Sequence, residues 1–143
     1  MPRYAAPMRI QYAVVCHDFE DGEWHGVTNL RGVRHKLYAS VDPGYLQNGG
    51  AHPGLPVKLV VSLIDGAPGN HTIHVSVRRP AGEAHRKILP LPIFWEKTSP
   101  TFFAIFDINL EVAENGTYEF AILADGVPLG TVPLPVELSP LPH

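Results

Sequence analysis

Wherever this chain is apolar, a period of two dominates. Val57, Leu59, Val61 and Leu63 alternate with Lys58, Val60, Ser62 and Ile64, and Ile73, Val75 and Val77 alternate with Thr72, His74, Ser76 and Arg78. Successive side chains of a strand point to opposite faces, whereas a helix needs its apolar stripe at spacings of three and four, so this period selects strands. No helical stripe runs beyond two turns. The 15 prolines and 13 glycines point the same way, because proline breaks helices and is tolerated in sheets only at edges, strand starts and bulges.

Read along the chain, residues 8–17 predict a first strand with Met8, Ile10, Tyr12, Val14 and Cys16 on one face and Arg9 and Gln11 on the other. DFEDGEWHG (18–26) reads as a solvated acidic loop, and two short segments, VTNL and GVRHKLYA, flank Arg31. Residues 40–54, with four glycines and two prolines, form the longest stretch without periodicity. Strands then follow to Asp65-Gly66, through 72–78 to the turn at 80–83, over 101–112, over the stretch NGTYEFAILADG (115–126), and on to a Pro-rich tail. Seven to nine short strands with such turn signals predict an all-β fold, an antiparallel immunoglobulin-like (Greek-key) β-sandwich without a disulfide. One domain is expected over 1–143, with a short flexible start (1–7) and a Pro-rich end (139–143).

At 143 residues the chain is long enough to bury a core unaided. Its one cysteine, Cys16, lies in the apolar run Ala13-Val14-Val15-Cys16 and reads as a small buried hydrophobe. With no disulfide framework, no apolar secretory segment and no stretch of bilayer-spanning length, a soluble cytoplasmic protein is expected.

In immunoglobulin-like sandwiches a tyrosine near the start of the penultimate strand hydrogen-bonds back to the preceding corner, two residues before a disulfide cysteine. Glu114-Asn115-Gly116-Thr117-Tyr118-Glu119-Phe120 resembles that corner, with Phe120 as an apolar plug where the cysteine would stand. Over most of its length, from MRIQYAVVCHDF through LPVKLVVSLIDG and HTIHVSVRRPAGE to NGTYEFAILADGVPLGTVPLPVEL, the chain is similar to a family of uncharacterised bacterial proteins built as small single-domain β-sandwiches. The resemblance implies a fold; it carries over no functional residue.

The residue types that could carry chemistry fall into no established pattern. His17, Asp18, Glu20, Asp21, Glu23 and His25 crowd together, yet their spacing matches no metal site. His71 and His74 are three apart, which on a strand sends them to opposite faces. No GxSxG elbow or glycine-rich phosphate loop occurs, and Asp65, Asp107 and Glu111 could act as paired carboxylates only through a tertiary arrangement. No catalytic residue, metal ligand or cofactor is assigned.

Binding is the better reading. Arg78, Arg79, Arg86 and Lys87 make one hairpin basic in a chain of net charge −3. Such charges suit an acidic partner or, more commonly, guard a sheet edge. No aromatics are interleaved with them, so no nucleic acid is expected, and no membrane partner either. Trp24 and Tyr45 are loop aromatics suited to contact, while Trp95 is expected to be buried. The sequence therefore suggests a non-enzymatic interaction or assembly module, with a protein partner or a second copy meeting the two-sided apolar patch at Phe103 and Ile105. The alternative is a small-ligand or carbohydrate-binding sandwich using Trp24, Tyr45, Gln47 and Asn48; a metal-dependent hydrolase built on the His17–His25 loop ranks third.

Overall fold

A computed structural model describes residues 8–16, 18–21, 28–31, 36–41, 54–80, 86–87, 90–112 and 114–140. All regular structure among them is β: β1 (Arg9–Cys16), β2 (Asp18–Asp21), β3 (Thr28–Arg31), β4 (Leu37–Val41), β5 (Gly54–Ile64), β6 (Gly69–Arg78), β7 (Arg86–Lys87), β8 (Leu91–Trp95), β9 (Thr101–Glu111), β10 (Gly116–Ala124) and β11 (Val127–Pro140). One sheet has the order β1-β5-β9; the other runs β4-β11-β10-β6, with β7 and β8 on the far flank of β6. Lys87 pairs with Ser76 and Leu91 with Ile73, so β7 and β8 succeed one another on that flank. Counted as one interrupted strand, they bring the two sheets to eight strands. Among the described residues no helix is long and apolar enough to cross a membrane.

Two features depart from the sequence reading. The acidic segment expected to be a loop is in part strand: Asp18–Asp21 pairs antiparallel with Thr28–Arg31, which sets Asp18 at the register position opposite Arg31. The second is that one pair in the larger sheet is parallel, with Leu37 to Val41 beside Val136 to Pro140. Strands this far apart in sequence are free of the tight turn that forces antiparallel pairing.

The two sheets close on one core. Leu59, Leu63 and Phe106 from the first sheet and Ile73, Phe120, Ile122 and Leu134 from the second belong to the same buried cluster. The alternation of apolar residues on β5, β6, β9, β10 and β11 places them on the inward faces, and each fully buried aliphatic or aromatic side chain contributes about 1.5–3 kcal/mol to that association. The β10–β11 connection is the two-residue turn expected of Asp-Gly: Asp125 and Gly126 have φ of 50° and 81°, both in the left-handed region that matches strand twist.

β1 corrects the sequence reading in an instructive way. Ile10 pairs with Leu63 but Tyr12 pairs with Ser62, so Gln11 is an extra residue bulged out of the ladder. A bulge of one residue reverses which face the rest of the strand presents. Ile10 therefore packs on the core, and beyond the bulge it is Ala13 and Val15 that do so. Tyr12, Val14 and Cys16 turn to the opposite face, beside Ser62, Val60 and Lys58. Gln11 is held there by its side-chain oxygen, which accepts a bond from the Ser62 hydroxyl at 2.8 Å.

The sheet edges differ in how they are protected. Along β11, β4 pairs only with residues 136–140; the earlier part carries Pro128, Pro133 and Pro135, which lack a donor and so discourage another strand from joining. β9 has eleven residues, all of them paired with β5 on one side, and no proline.

Candidate functional site

The strand that carries most of the unassigned chemistry is β9. Phe102, Ala104, Phe106, Ile108 and Leu110 face the core, while Phe103 and Ile105 are half-buried on the other face and Asp107 and Asn109 are exposed there. From Thr101 to Phe106 the strand has no charge on either face. At its other end, Asp107, Ile108 and Asn109 line, with Pro56, Val57 and Lys58 of β5, a surface groove of about 320 Å³. Lys58 lies opposite Asp107 in the ladder and donates to its carboxylate. The groove thus offers an apolar floor, an ion pair and a carboxamide, the mixture common in small-molecule sites.

Each of the three acids that could have formed carboxylate pairs has a cation as partner. Arg9 donates to Asp65, Lys58 to Asp107, and Arg79 lies 3.6 Å from Glu111. Pairs of acids that share a proton do not arise among them. Among the described residues there is also no group of three or more His, Cys, Asp or Glu placed to hold a metal.

Two of the four cations of the basic hairpin, Arg78 and Arg79, have described side chains. Arg78 is exposed, directly opposite Glu119 of β10. Arg79 reaches the other sheet through Glu111. Arg86 and Lys87 occupy the two positions of β7, paired with Val77 and Ser76. Trp24 and Tyr45, together with His17, His25, Gln47 and Asn48, lie outside the described residues. Trp95 is buried, its indole N–H donating to the Ser99 carbonyl at 2.9 Å, and its ring packs near Phe102 with centroids 6.1 Å apart.

Tyr118 and Phe120 are fully buried on β10. The Tyr118 hydroxyl donates to the Glu114 carbonyl at 3.2 Å and accepts from the Glu114 N–H at 3.3 Å, so one side chain satisfies both backbone groups of the corner residue. Asn115 caps the same corner by accepting the Leu138 N–H.

At the opposite end of these strands lies a cluster that sequence spacing gave no reason to assemble. His71 Nδ1 is 2.6 Å from Asp125 Oδ2, and Nε2 is 2.6 Å from the Ala67 carbonyl oxygen. Asp125 accepts the Thr72 N–H through its second oxygen, and its own N–H donates to the Thr72 carbonyl. The Ala67 carbonyl and the Asp125 carboxylate raise the His71 pKa above its ordinary value of 6.5. Conversely, His71 and the Thr72 N–H hold the Asp125 carboxyl below its ordinary range. Both ring nitrogens thus lie within hydrogen-bond reach of an oxygen, and the cluster braces two turns.

Taken together these observations define an all-β protein of two sheets around a shared core. No protein-family model matches the sequence, and no curated protein matches it. An immunoglobulin-like protein from Pseudomonas aeruginosa is similar in structure with a TM-score of 0.42 and 12% identity, over 94% of this chain and 100% of that one. An alkylpurine DNA glycosylase from Pseudomonas fluorescens, solved with DNA containing an abasic-site analogue, gives 0.46 and 11% over 90% of this chain but 30% of its own. A β-glucosidase from Listeria innocua, solved with glucose, gives 0.44 and 10% over 87% of this chain and 16% of its own. At TM-scores below 0.5 none of these transfers an activity to this chain.

Proposed function

We propose that this protein is a non-enzymatic, cytoplasmic, single-domain interaction module with an immunoglobulin-like Greek-key arrangement, and that it assembles with a second copy of itself through β9. The observation that supports this is the contrast between two strands: β9 is long, free of proline and uncharged on both faces from Thr101 to Phe106, whereas β11 carries three prolines along the portion that β4 does not pair with. Long, proline-free apolar strands are the ones that recruit partners. A net charge of only −3 opposes association of two copies weakly. Size-exclusion chromatography with light scattering at high micromolar concentration tests it. A dimer that Ile105→Lys converts to monomer is the expected result, and a clean monomer for the unmodified chain would overturn it.

A second reading, small-ligand binding, is favoured by the groove beside Lys58, Asp107 and Asn109. A thermal-shift screen of small polar metabolites and sugars is its test. A ligand that raises the melting temperature of the unmodified protein but not of Asn109→Ala supports it, and a screen with no shifts removes it.

A further inference from the structure

His71 stands at the start of β6 and touches two turns at once. Its Nε2 faces the carbonyl of Ala67, in the connection between β5 and β6, and its Nδ1 faces the carboxylate of Asp125, in the turn between β10 and β11. A backbone carbonyl can only accept a hydrogen bond, so Nε2 must carry a proton. The carboxylate, below its ordinary pKa range and already bonded to the Thr72 N–H, is also an acceptor. Nδ1 must then carry a proton as well. A neutral imidazole has one N–H and could satisfy only one of the two, leaving a lone pair 2.6 Å from an oxygen. The doubly protonated ring satisfies both acceptors at once.

From this we propose that His71 is a proton-operated clip that fastens the two turns at this end of the protein while charged and releases them as it deprotonates. The clip crosses from the β5–β6 connection, which leads from one sheet to the other, to the β10–β11 hairpin, so its release loosens the end of the molecule without disturbing the core. Thr72 and Asp125 keep their two mutual bonds in either state, because neither bond uses the ring. What is lost is the hold on Ala67 and the charge pairing with Asp125. The other ionisable groups at this end leave the logic intact: His74, on β6, reinforces the ionised state of Asp125, and Asp65, in the same connection as Ala67, is occupied by Arg9. A proton therefore controls the order of residues 65–68 and 126–127.

The sign follows from the direction of the shift. A histidine whose folded pKa is raised contributes stability that is complete below its unfolded value near 6.5 and disappears as pH rises through the folded value above it. Nitrogen-15 spectra of the ring and hydrogen exchange between about pH 5.5 and 9 read the two halves of the proposal. The expected result is an imidazolium at pH 6.5 with both nitrogens protonated, a His71 pKa that falls in Asp125→Asn, and faster exchange in 65–68 and 126–127 once the ring is neutral. Asparagine tolerates the positive φ of residue 125, so that variant keeps the turn. His71→Gln should show the loosened exchange at every pH. A ring that is neutral at pH 6.5, or exchange in these segments that ignores its titration, would overturn the proposal, and neither outcome depends on whether the protein self-associates.

Discussion

Replacing Tyr118 by phenylalanine removes one oxygen atom and isolates the corner it braces. In the native chain that oxygen gives a proton to the Glu114 carbonyl and takes one from the Glu114 N–H, at 3.2 and 3.3 Å. Both distances are at the long end for such bonds, which places each toward the lower part of the usual net contribution of about 0.5–1.5 kcal/mol. Glu114 is half-buried, so water replaces the hydroxyl at its backbone only in part. A cost of about 1–2 kcal/mol follows for Tyr118→Phe. Tyr118→Ala also empties a fully buried site, which raises the cost to about 3–5 kcal/mol, a large fraction of the stability of a domain of this size. Urea unfolding measures both: the midpoint should fall while the slope stays constant, since the surface exposed on unfolding hardly changes. A Tyr118→Phe protein as stable as the original would refute the bracing argument. The same protein with impaired self-association would make the residue part of the interface instead.

Gly66→Ala should destabilise by about 1–3 kcal/mol in the same assay, because its Cβ would overlap the Trp95 ring, with Cζ3 at 2.6 Å; an unchanged midpoint would mean that the indole moves aside freely. Arg79→Ala removes an ion pair that is exposed on both sides and should shift stability by less than about 1 kcal/mol, so a larger loss in a urea melt would show that the bridge between sheets matters more than its exposure implies. On the acid side, Asp125 has a lowered pKa, so its contribution is complete above its ordinary value of 3.8 and is lost as pH falls through the folded value. Stability differences between the original chain and Asp125→Asn should therefore shrink on acidification below that value, and a gap that persists at pH 2 would contradict the assignment.

The parts of the fold legible in the sequence were those where alternation ran unbroken. β6, β9 and β10 follow period two, and their buried residues are the ones that the alternation singles out, whereas β5 also buries Val60 and Ser62 on its other face. β1 failed at one residue: nothing in Arg9-Ile10-Gln11-Tyr12 announces a bulge, yet it exchanges the two faces for the remainder of the strand. The parallel pairing of β4 with β11 was out of reach because it joins segments about a hundred residues apart with no local signal. Site chemistry was hidden for the same reason. Asp65, Asp107 and Glu111 looked interchangeable as acids, but strand register and packing decide that Arg9, Lys58 and Arg79 are their partners. His71 was assessed against His74, its neighbour along the strand, whereas its brace is completed by Asp125, 54 positions away.

The bulge at Gln11 also gives the protein a built-in stopwatch. By turning Cys16 away from the main core, where it is nonetheless fully buried, it places the chain's single thiol where a reagent meets it only after a local opening. A thiol reagent such as an aromatic disulfide would then react at a rate set by how often that opening occurs, multiplied by the reactivity of a free cysteine. At low reagent concentration the labelling half-time reports the equilibrium for opening, and at high concentration it levels off at the opening rate itself. One colorimetric trace could thus time the uncovering of Cys16 without any introduced probe.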